Sequence, residues 1–363
     1  MSVAVTLAIL AGAAGLDGIR RLFNCYSNNS EAERLELLGK ARYEEAIGLF
    51  ETQKNNTTKS LDYLGKLKLE IWAKDLSRFI DVFQSFKNVK FKNTNYSDGL
   101  SFDVDNPEVL KEIELASLNA TEILTGGAAA IASGAITGIA VYGGTMALAS
   151  ASTGTAIATL HGVAATNAAL AWLGGGSIAA GGGGMAAGAW VLGGVVVGPV
   201  LLAAGFMMEN NSEANLAKAR ANFEKNKGEI EKINSLIGFM GELENISNDF
   251  SSFLEEYSNR FCEVLNTLEK IRDEVFDKSL FKKSLIKLGW SKKCFKIDFN
   301  SLSLEEQRQI HIAVIMAQLL HKVMKMPILN TENVNGTEQS NINPQARICL
   351  NEARKQIESD IKC

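Results

Sequence analysis

The chain has few prolines and histidines for its 363 residues, and it has no paired cysteine motif. Only four prolines are present, which favours long helices over a turn-rich β fold, because proline interrupts backbone hydrogen bonding. The five cysteines are scattered, with no CxxC pair and no histidine at ligand spacing. We therefore expect reduced thiols, no metal and no cofactor. A formal net charge of −4 gives no reason to expect a nucleic-acid partner.

The most informative absence is that of charge in one long segment. From Ile123 to Met208 there is no Asp, Glu, Lys or Arg, although 21% of the whole chain is charged. Gly and Ala supply about half of this segment, so it is either a set of membrane-seeking helices or an unusually dry core. Each glycine costs a helix in water about 1 kcal/mol relative to alanine. A bilayer enforces helix, because unpaired backbone groups are costly there, so the composition favours lipid.

The uncharged segment divides into stretches of different polarity. Ala128–Ala149 and Met185–Met208 each reach the roughly 20 residues that a membrane span needs. Thr155–Leu173 is more polar, and either two or three spans are compatible with the pattern. His161 and Asn167 in this middle stretch are candidates for pore lining or for interhelical hydrogen bonds.

Small residues four positions apart mark one face of each strong candidate span or its edge. Such spacing lets two helix backbones approach closely in lipid, so it predicts helix packing. The candidate helix-packing residues are Gly134, Gly138, Gly184, Gly188, Gly194 and Gly198. The glycine clusters are not phosphate loops, because no Lys follows them before Lys218 and no strand precedes them. With no catalytic motif, we expect a protein that is not an enzyme.

The fold predicted from these patterns is mainly α, with long amphipathic or coiled-coil helices flanking a central Gly/Ala-rich helical hairpin. We expect an N-terminal helical region over 1–122 with a loop near 87–106, the hydrophobic region 123–208, a coiled-coil helix over 209–278 and a C-terminal helical region over 279–363 in which 330–343 is disordered. A heptad series predicts the coiled coil. Its members are Phe250, Leu254, Tyr257, Phe261, Val264, Leu268, Ile271 and Val275.

Local signals predict several helix ends. Ser30 with Glu33, and Ser303 with Glu306, have the form of capping boxes. Pro107 is suited to a first helical turn, and the polar run 55–58 predicts a break between two helices. We expect His311 and His321 to be ordinary residues on a helix surface.

Two stretches carry a resemblance to known proteins. One runs from Leu64 to Trp72 (LGKLKLEIW) and on to Arg78-Phe79 and Lys87-Asn88-Val89; the other runs from Ser152 (STGTAI) through Ala164-Ala165-Thr166-Asn167-Ala168 to Trp172-Leu173 and Gly174. Together they resemble an uncharacterised family of bacterial glycine-rich, membrane-associated helical proteins, over about Tyr43 to Gly205. The family implies no known activity. In architecture alone, long helices around one glycine-rich hairpin are similar to the α-helical pore-forming toxins of the cytolysin A type.

The function that these observations predict is that of a membrane-associated or membrane-inserting helical protein, which self-associates and forms a pore. The alternative is a constitutive membrane-anchored scaffold whose coiled-coil arms bind a protein partner. A third class, a protein with catalytic activity and a buried glycine-rich core, has the least support. The partners we expect are a lipid membrane and further copies of the chain, with the charged helices on the cytoplasmic side.

If the small-residue faces pack in the membrane, enlarging them should disturb assembly. We predict that replacing Gly134, Gly138, Gly194 and Gly198 by leucine lowers the oligomer mass in detergent, because leucine holds the backbones apart. Sedimentation velocity of the full chain measures that mass. An unchanged oligomer would count against the packing role.

Overall fold

The computed structural model describes residues 3–89, 107–125, 212–278, 295–334 and 337–360. These residues are mostly helical, which confirms the predicted mainly α fold. The predicted hydrophobic hairpin lies outside the described residues. The chain divides into two compact units, formed by residues 1–56 with 195–242 and by residues 57–194 with 243–363.

The described elements follow one another as six helices and four short strands. In chain order they are α1 (Val3–Glu70), a π-helical segment (Ile71–Leu76), α2 (Ser77–Phe83), β1 (Phe86–Lys87), α3 (Pro107–Thr125), α4 (Ser212–Lys278), β2 (Ile297–Asp298), a 3₁₀ turn (Phe299–Ser301), α5 (Leu304–Lys325), β3 (Leu329–Val334), β4 (Thr337–Ile342) and α6 (Pro344–Asp360).

The first helix corrects two sequence predictions. Ser30 does not begin a helix, and the polar run 55–58 does not separate two helices, because α1 is continuous from Val3 to Glu70. Within the polar run, Thr57 is buried, so tertiary packing outweighs its low helix propensity. The division between the two units nevertheless falls at this place, between residues 56 and 57.

The first unit is built on a side-by-side pair of helices from α1 and α4. Its core contains Tyr43, Ala46 and Phe50 of α1 with Ile233 and Met240 of α4. Gly39 lies near Asn226 and Gln53 lies near Gly241, so residue numbers increase in the same direction along both helices and the pair is parallel. A Cβ atom on Gly39 would come within 3.2 Å of the Asn226 amide nitrogen, which shows how closely the two helices approach at this glycine.

The second unit repeats the parallel pairing, with the end of α1 and then α2 lying against the later part of α4. The Ser60 hydroxyl donates to Asn248 Oδ1 at 2.6 Å, and the Arg78 guanidinium donates to both oxygens of Glu269, each at 2.6 Å. Rings from both helices fill the space between them, with Phe79 and Phe261 centroids 5.9 Å apart.

Six of the eight heptad positions of α4 are buried, and the two exceptions, Val264 and Val275, lie in the second half of the series. Val264 and Val275 are only partly buried, and their neighbours Leu265 and Phe276 are buried in their place. An α-helix has 3.6 residues per turn, so an apolar stripe that follows the helix departs from a strict seven-residue repeat. Supercoiling of the pair stays a prediction.

Short strand pairs lie at two places in the second unit. β1 pairs in parallel with β2 through Phe86 and Ile297. β3 and β4 form an antiparallel pair from Leu329 opposite Ile342 to Val334 opposite Thr337. This differs from the disorder predicted over 330–343. The sequence Asn335-Gly336 between the strands is a strong hairpin signal, and backbone pairing forms an antiparallel ladder even when most side chains are polar.

Two predicted helix ends are confirmed. α3 begins at Pro107, and Ser303 caps α5 in a full capping box with Glu306. Among the described residues, no helix combines the length and apolarity that crossing a membrane requires.

The core of the second unit should be sensitive to cavities. We predict that Phe261→Ala lowers the free energy of unfolding by about 3–5 kcal/mol, because Phe261 is fully buried between helices. Urea unfolding followed by circular dichroism measures this. Leu304→Ala is the control, since Leu304 is 85% exposed and should change stability by less than about 0.5 kcal/mol. Equal effects of the two changes would contradict the assignment of this core.

Candidate functional site

A π-helical segment interrupts the end of the first long helix in the second unit. It covers six residues, Ile71–Leu76, of which Ile71, Trp72 and Leu76 are buried. Such segments are rare and are frequent at functional sites. The candidate site is therefore the junction where α3, α4 and α5 contact this segment.

Helix α3 runs antiparallel to the π-helical segment and α2. Gln84 donates from Nε2 to Glu114 at 2.8 Å, and further along α3 the Thr121 hydroxyl lies 3.3 Å from the carbonyl oxygen of Ala73. The Thr121 hydroxyl also lies 2.8 Å from the carbonyl oxygen of Ser117 in α3, so its one proton is shared between that carbonyl and the one in the π-helical segment. Ile113, Ala116 and Ala120 are buried on the inner face of α3, so apolar packing and polar contacts hold the same helix.

The charged part of the junction consists of Glu112 on α3 with His321 and Lys325 on α5. Lys325 Nζ donates to Glu112 Oε1 at 2.5 Å, and His321 Nε2 lies 3.2 Å from Glu112 Oε2. The His321 ring meets Trp72 edge to face with centroids 5.3 Å apart. His321 Nδ1 and Trp72 Nε1 are buried and have no hydrogen-bond partner among the described residues.

The burial of His321 corrects the prediction of a surface histidine. The side chain is only 5% exposed, and burial lowers its pKa to about 4 despite the neighbouring Glu112 carboxylate. Burial alone would raise the pKa of Glu112, but the hydrogen bond from Lys325 and the positive charge beside it hold that pKa below its ordinary value. The junction is thus an ion pair between Glu112 and Lys325 next to a neutral imidazole.

A second polar cluster faces α4 from the other side of the π-helical segment. The Ser258 hydroxyl donates to Asp75 Oδ2 at 2.5 Å, and the Cys262 thiol donates to Oδ1 at 3.5 Å. Burial raises the pKa of Asp75 and, together with the Asp75 carboxylate, that of Cys262. The thiol therefore stays protonated near neutral pH and is a poor nucleophile, and the cluster joins α4 to the π-helical segment.

Lys68 is a further buried polar residue, one helical turn before the π-helical segment. Its side chain is fully buried, with Nζ 5.6 Å from the centroid of the Phe250 ring, and burial lowers its pKa to about 7. The ammonium group is thus placed where its charge is costly, although an aromatic face offsets part of that cost.

The site residues predicted from the sequence remain predictions. Gly134, Gly138, Gly184, Gly188, Gly194, Gly198, His161 and Asn167 all lie outside the described residues. Sequence reasoning missed Trp72, Glu112 and His321 as a group. His321 occupies an apolar stretch of α5, which was the one signal that it could be buried. In the described parts of the chain, no cluster of three or more His, Cys, Asp or Glu side chains could hold a metal ion.

Comparisons with known proteins do not assign this chain to a family. No protein-family model matches the chain, and no curated protein or solved structure is found to be similar to it. The functional argument therefore depends on the residues themselves.

Burial of Lys68 should make the free energy of unfolding depend on pH. Its pKa falls from 10.5 to about 7 on folding, so the folded state is stabilised above about pH 10 and loses that stabilisation as the pH falls towards 7. We expect Lys68→Met to raise the free energy of unfolding at pH 7 by on the order of 1–4 kcal/mol and to flatten its dependence on pH.

Urea unfolding at several pH values between 7 and 10 measures both effects. The matched control is Lys66→Met, two residues away on the exposed face of α1, which should change neither quantity. A loss of stability in Lys68→Met at pH 7 would show that the polar contacts of the ammonium group outweigh the cost of its burial.

Proposed function

We propose that this chain is a non-enzymatic, membrane-inserting helical protein whose segments Ala128–Ala149 and Met185–Met208 enter the bilayer and whose copies assemble into a pore. The observation that carries the proposal is the uncharged segment itself, 86 residues (208 − 123 + 1) without a formal charge other than any on His161. Charged helices precede and follow it, so the chain separates sharply into membrane-seeking and water-seeking parts.

The helix that leads into the uncharged segment supports this proposal. The segment starts at Ile123, inside the last turn of α3. Besides its buried inner face, α3 has Leu115 and Leu118 on its surface, 54% and 59% exposed. When such a helix leaves the fold, its apolar side chains can be buried in a lipid surface instead of against the protein.

The glycine content gives a physical reason for lipid as the destination. In water, a helix so rich in glycine loses about 1 kcal/mol per residue relative to alanine. In a bilayer the same residues allow close helix packing, which replaces the hydrophobic effect as the force of association. Ala and Gly are nevertheless weakly apolar, so insertion is expected to depend on the helices on either side.

One observation favours the alternative of a membrane-anchored scaffold that binds a protein partner. Along the described part of α1 in the first unit, large apolar side chains are exposed to solvent. They are Phe23, Tyr26, Leu37 and Leu49. Such residues suit contact with another protein, or with another copy of the chain, as well as they suit lipid.

Liposome flotation followed by release of a trapped dye separates the proposal from its alternative. Binding with dye release is the result expected of a pore, and binding without release is the result expected of an anchor. A full-length chain that stays at the bottom of the gradient with liposomes of every composition would contradict both.

A single charge in the centre of a candidate span gives a sharper test. We predict that Val196→Lys strongly reduces flotation and dye release, because a lysine at the middle of a span costs about 2.5–3.5 kcal/mol of insertion free energy. The control is Ser152→Lys, which adds the same charge between the candidate segments. If Val196→Lys floats as well as the control, Met185–Met208 is not inserted.

A further inference from the structure

Helix α3 connects the fold of the second unit to the uncharged segment. The described helix runs to Thr125, and the segment begins at Ile123, so the last three residues of α3 belong to the uncharged segment. As long as α3 lies against the π-helical segment, the start of the uncharged segment is fixed to the folded unit. Release of α3 would remove that restraint.

Glu112 of α3 forms an ion pair with Lys325, and this pair lies beside His321. Glu112 joins α3 to α5 through two contacts at once, at 2.5 Å to Lys325 and 3.2 Å to His321. Polar contacts of α3 at Glu114 and Thr121 join it to Gln84 and Ala73. Because Glu112 contacts both His321 and Lys325, a change of charge on α5 acts directly on α3 at this residue.

A proton on His321 would be poorly accommodated in the docked arrangement. The charged groups that face the imidazole are Glu112 from α3 and Lys325, one turn away on α5, whereas the π-helical segment presents the uncharged Trp72. A second N–H at Nδ1 would point into a buried place that has no acceptor among the described residues. The imidazolium would also lie beside the positive charge of Lys325.

We propose that α3 is an acid-released helix, which leaves the π-helical segment when the Glu112–His321–Lys325 junction takes up protons and thereby frees the start of the uncharged segment. The release of α3 concerns this junction alone. Its consequence for membrane binding rests on the proposed function.

The pH range follows from the two titrating groups. Docked His321 has a pKa near 4 because it is buried, against 6.5 for an accessible imidazole, so docking is favoured above pH 6.5 and weakens as the pH falls towards 4. The pKa of docked Glu112 lies below its ordinary value of 4.5. Protonation of this carboxylate therefore also weakens docking, at still lower pH. We expect the opening equilibrium of α3 to rise about tenfold per pH unit between these limits.

Hydrogen exchange of the full-length protein at pH 7.4 and 5.0, corrected for the intrinsic pH dependence of exchange, tests the release. The expected result is that the opening equilibrium of peptides from Pro107–Thr125 rises about 20-fold at pH 5.0, while peptides from the buried part of α4 keep their protection. Unchanged protection of α3, or an equal loss throughout α4 and α5, would overturn the proposal.

Variants assign the effect to the imidazole. His321→Phe keeps an aromatic ring against Trp72 but cannot be protonated, so α3 should lose most of its acid response. His321→Gln is a second neutral replacement in case the first does not fold. The matched control is His311→Phe on the same helix, which should respond to acid as the unmodified protein does. A full acid response in both His321 variants would overturn the role of this residue.

Liposome flotation at both pH values separates this inference from the proposed function. More flotation at pH 5.0 in the unmodified protein, and no increase in His321→Phe, supports the link between α3 and the membrane. Equal flotation at both values, with α3 released only in acid, overturns that link. Absence of flotation at either value contradicts the proposed function, and the exchange data then decide the release of α3 independently.

Discussion

The described structure depends on one packing arrangement, in which two long helices lie side by side and run in the same direction. In the first unit the pairing joins Tyr43 and Phe50 to Ile233 and Met240; in the second it joins Arg78 to Glu269. Parallel helices cannot be connected by a short turn, since the chain must return from the end of one to the start of the other. Helix α3, which runs antiparallel to the π-helical segment, is the described part of that return. The uncharged segment that follows is therefore part of the connection that parallel packing requires.

The π-helical segment decides where polar groups enter this apolar arrangement. It places Trp72 against His321 and Asp75 against Ser258, and α3 supplies Thr121 and Glu112 from outside. Buried polar atoms without partners cost about 1–3 kcal/mol each, so His321 Nδ1 and Trp72 Nε1 make this junction less stable than an apolar core of the same size. Elements that move come from the less stable parts of a fold. This junction holds α3, the helix that leads into the uncharged segment.

Much of the helical content could be predicted from the sequence, because its signals are local. The capping box at Ser303 and the helix start at Pro107 depend on neighbouring backbone groups only, and both are confirmed. The break over 55–58 was wrong, because tertiary contacts hold polar residues such as Thr57 in a helix that their propensity does not favour. The disorder predicted over 330–343 differs from the structure, in which β3 and β4 pair. Polar composition predicts disorder there, whereas the Asn335-Gly336 sequence favours a hairpin. The buried junction could not be predicted, since Trp72, Glu112 and His321 are far apart in the sequence.

The sequence by itself determined that the protein is mainly α and that one segment of 86 residues carries no Asp, Glu, Lys or Arg. Both properties depend on composition and on the 3.6-residue period, which are fixed before any long-range contact forms. Only the tertiary structure decided that the paired helices are parallel, that Leu265 and Phe276 are buried where the heptad repeat places Val264 and Val275, and that Lys68 and His321 are buried. These features depend on which surfaces meet. A charged or titrating side chain that would be ordinary on an isolated helix becomes a sensor of pH when a neighbouring helix removes it from water.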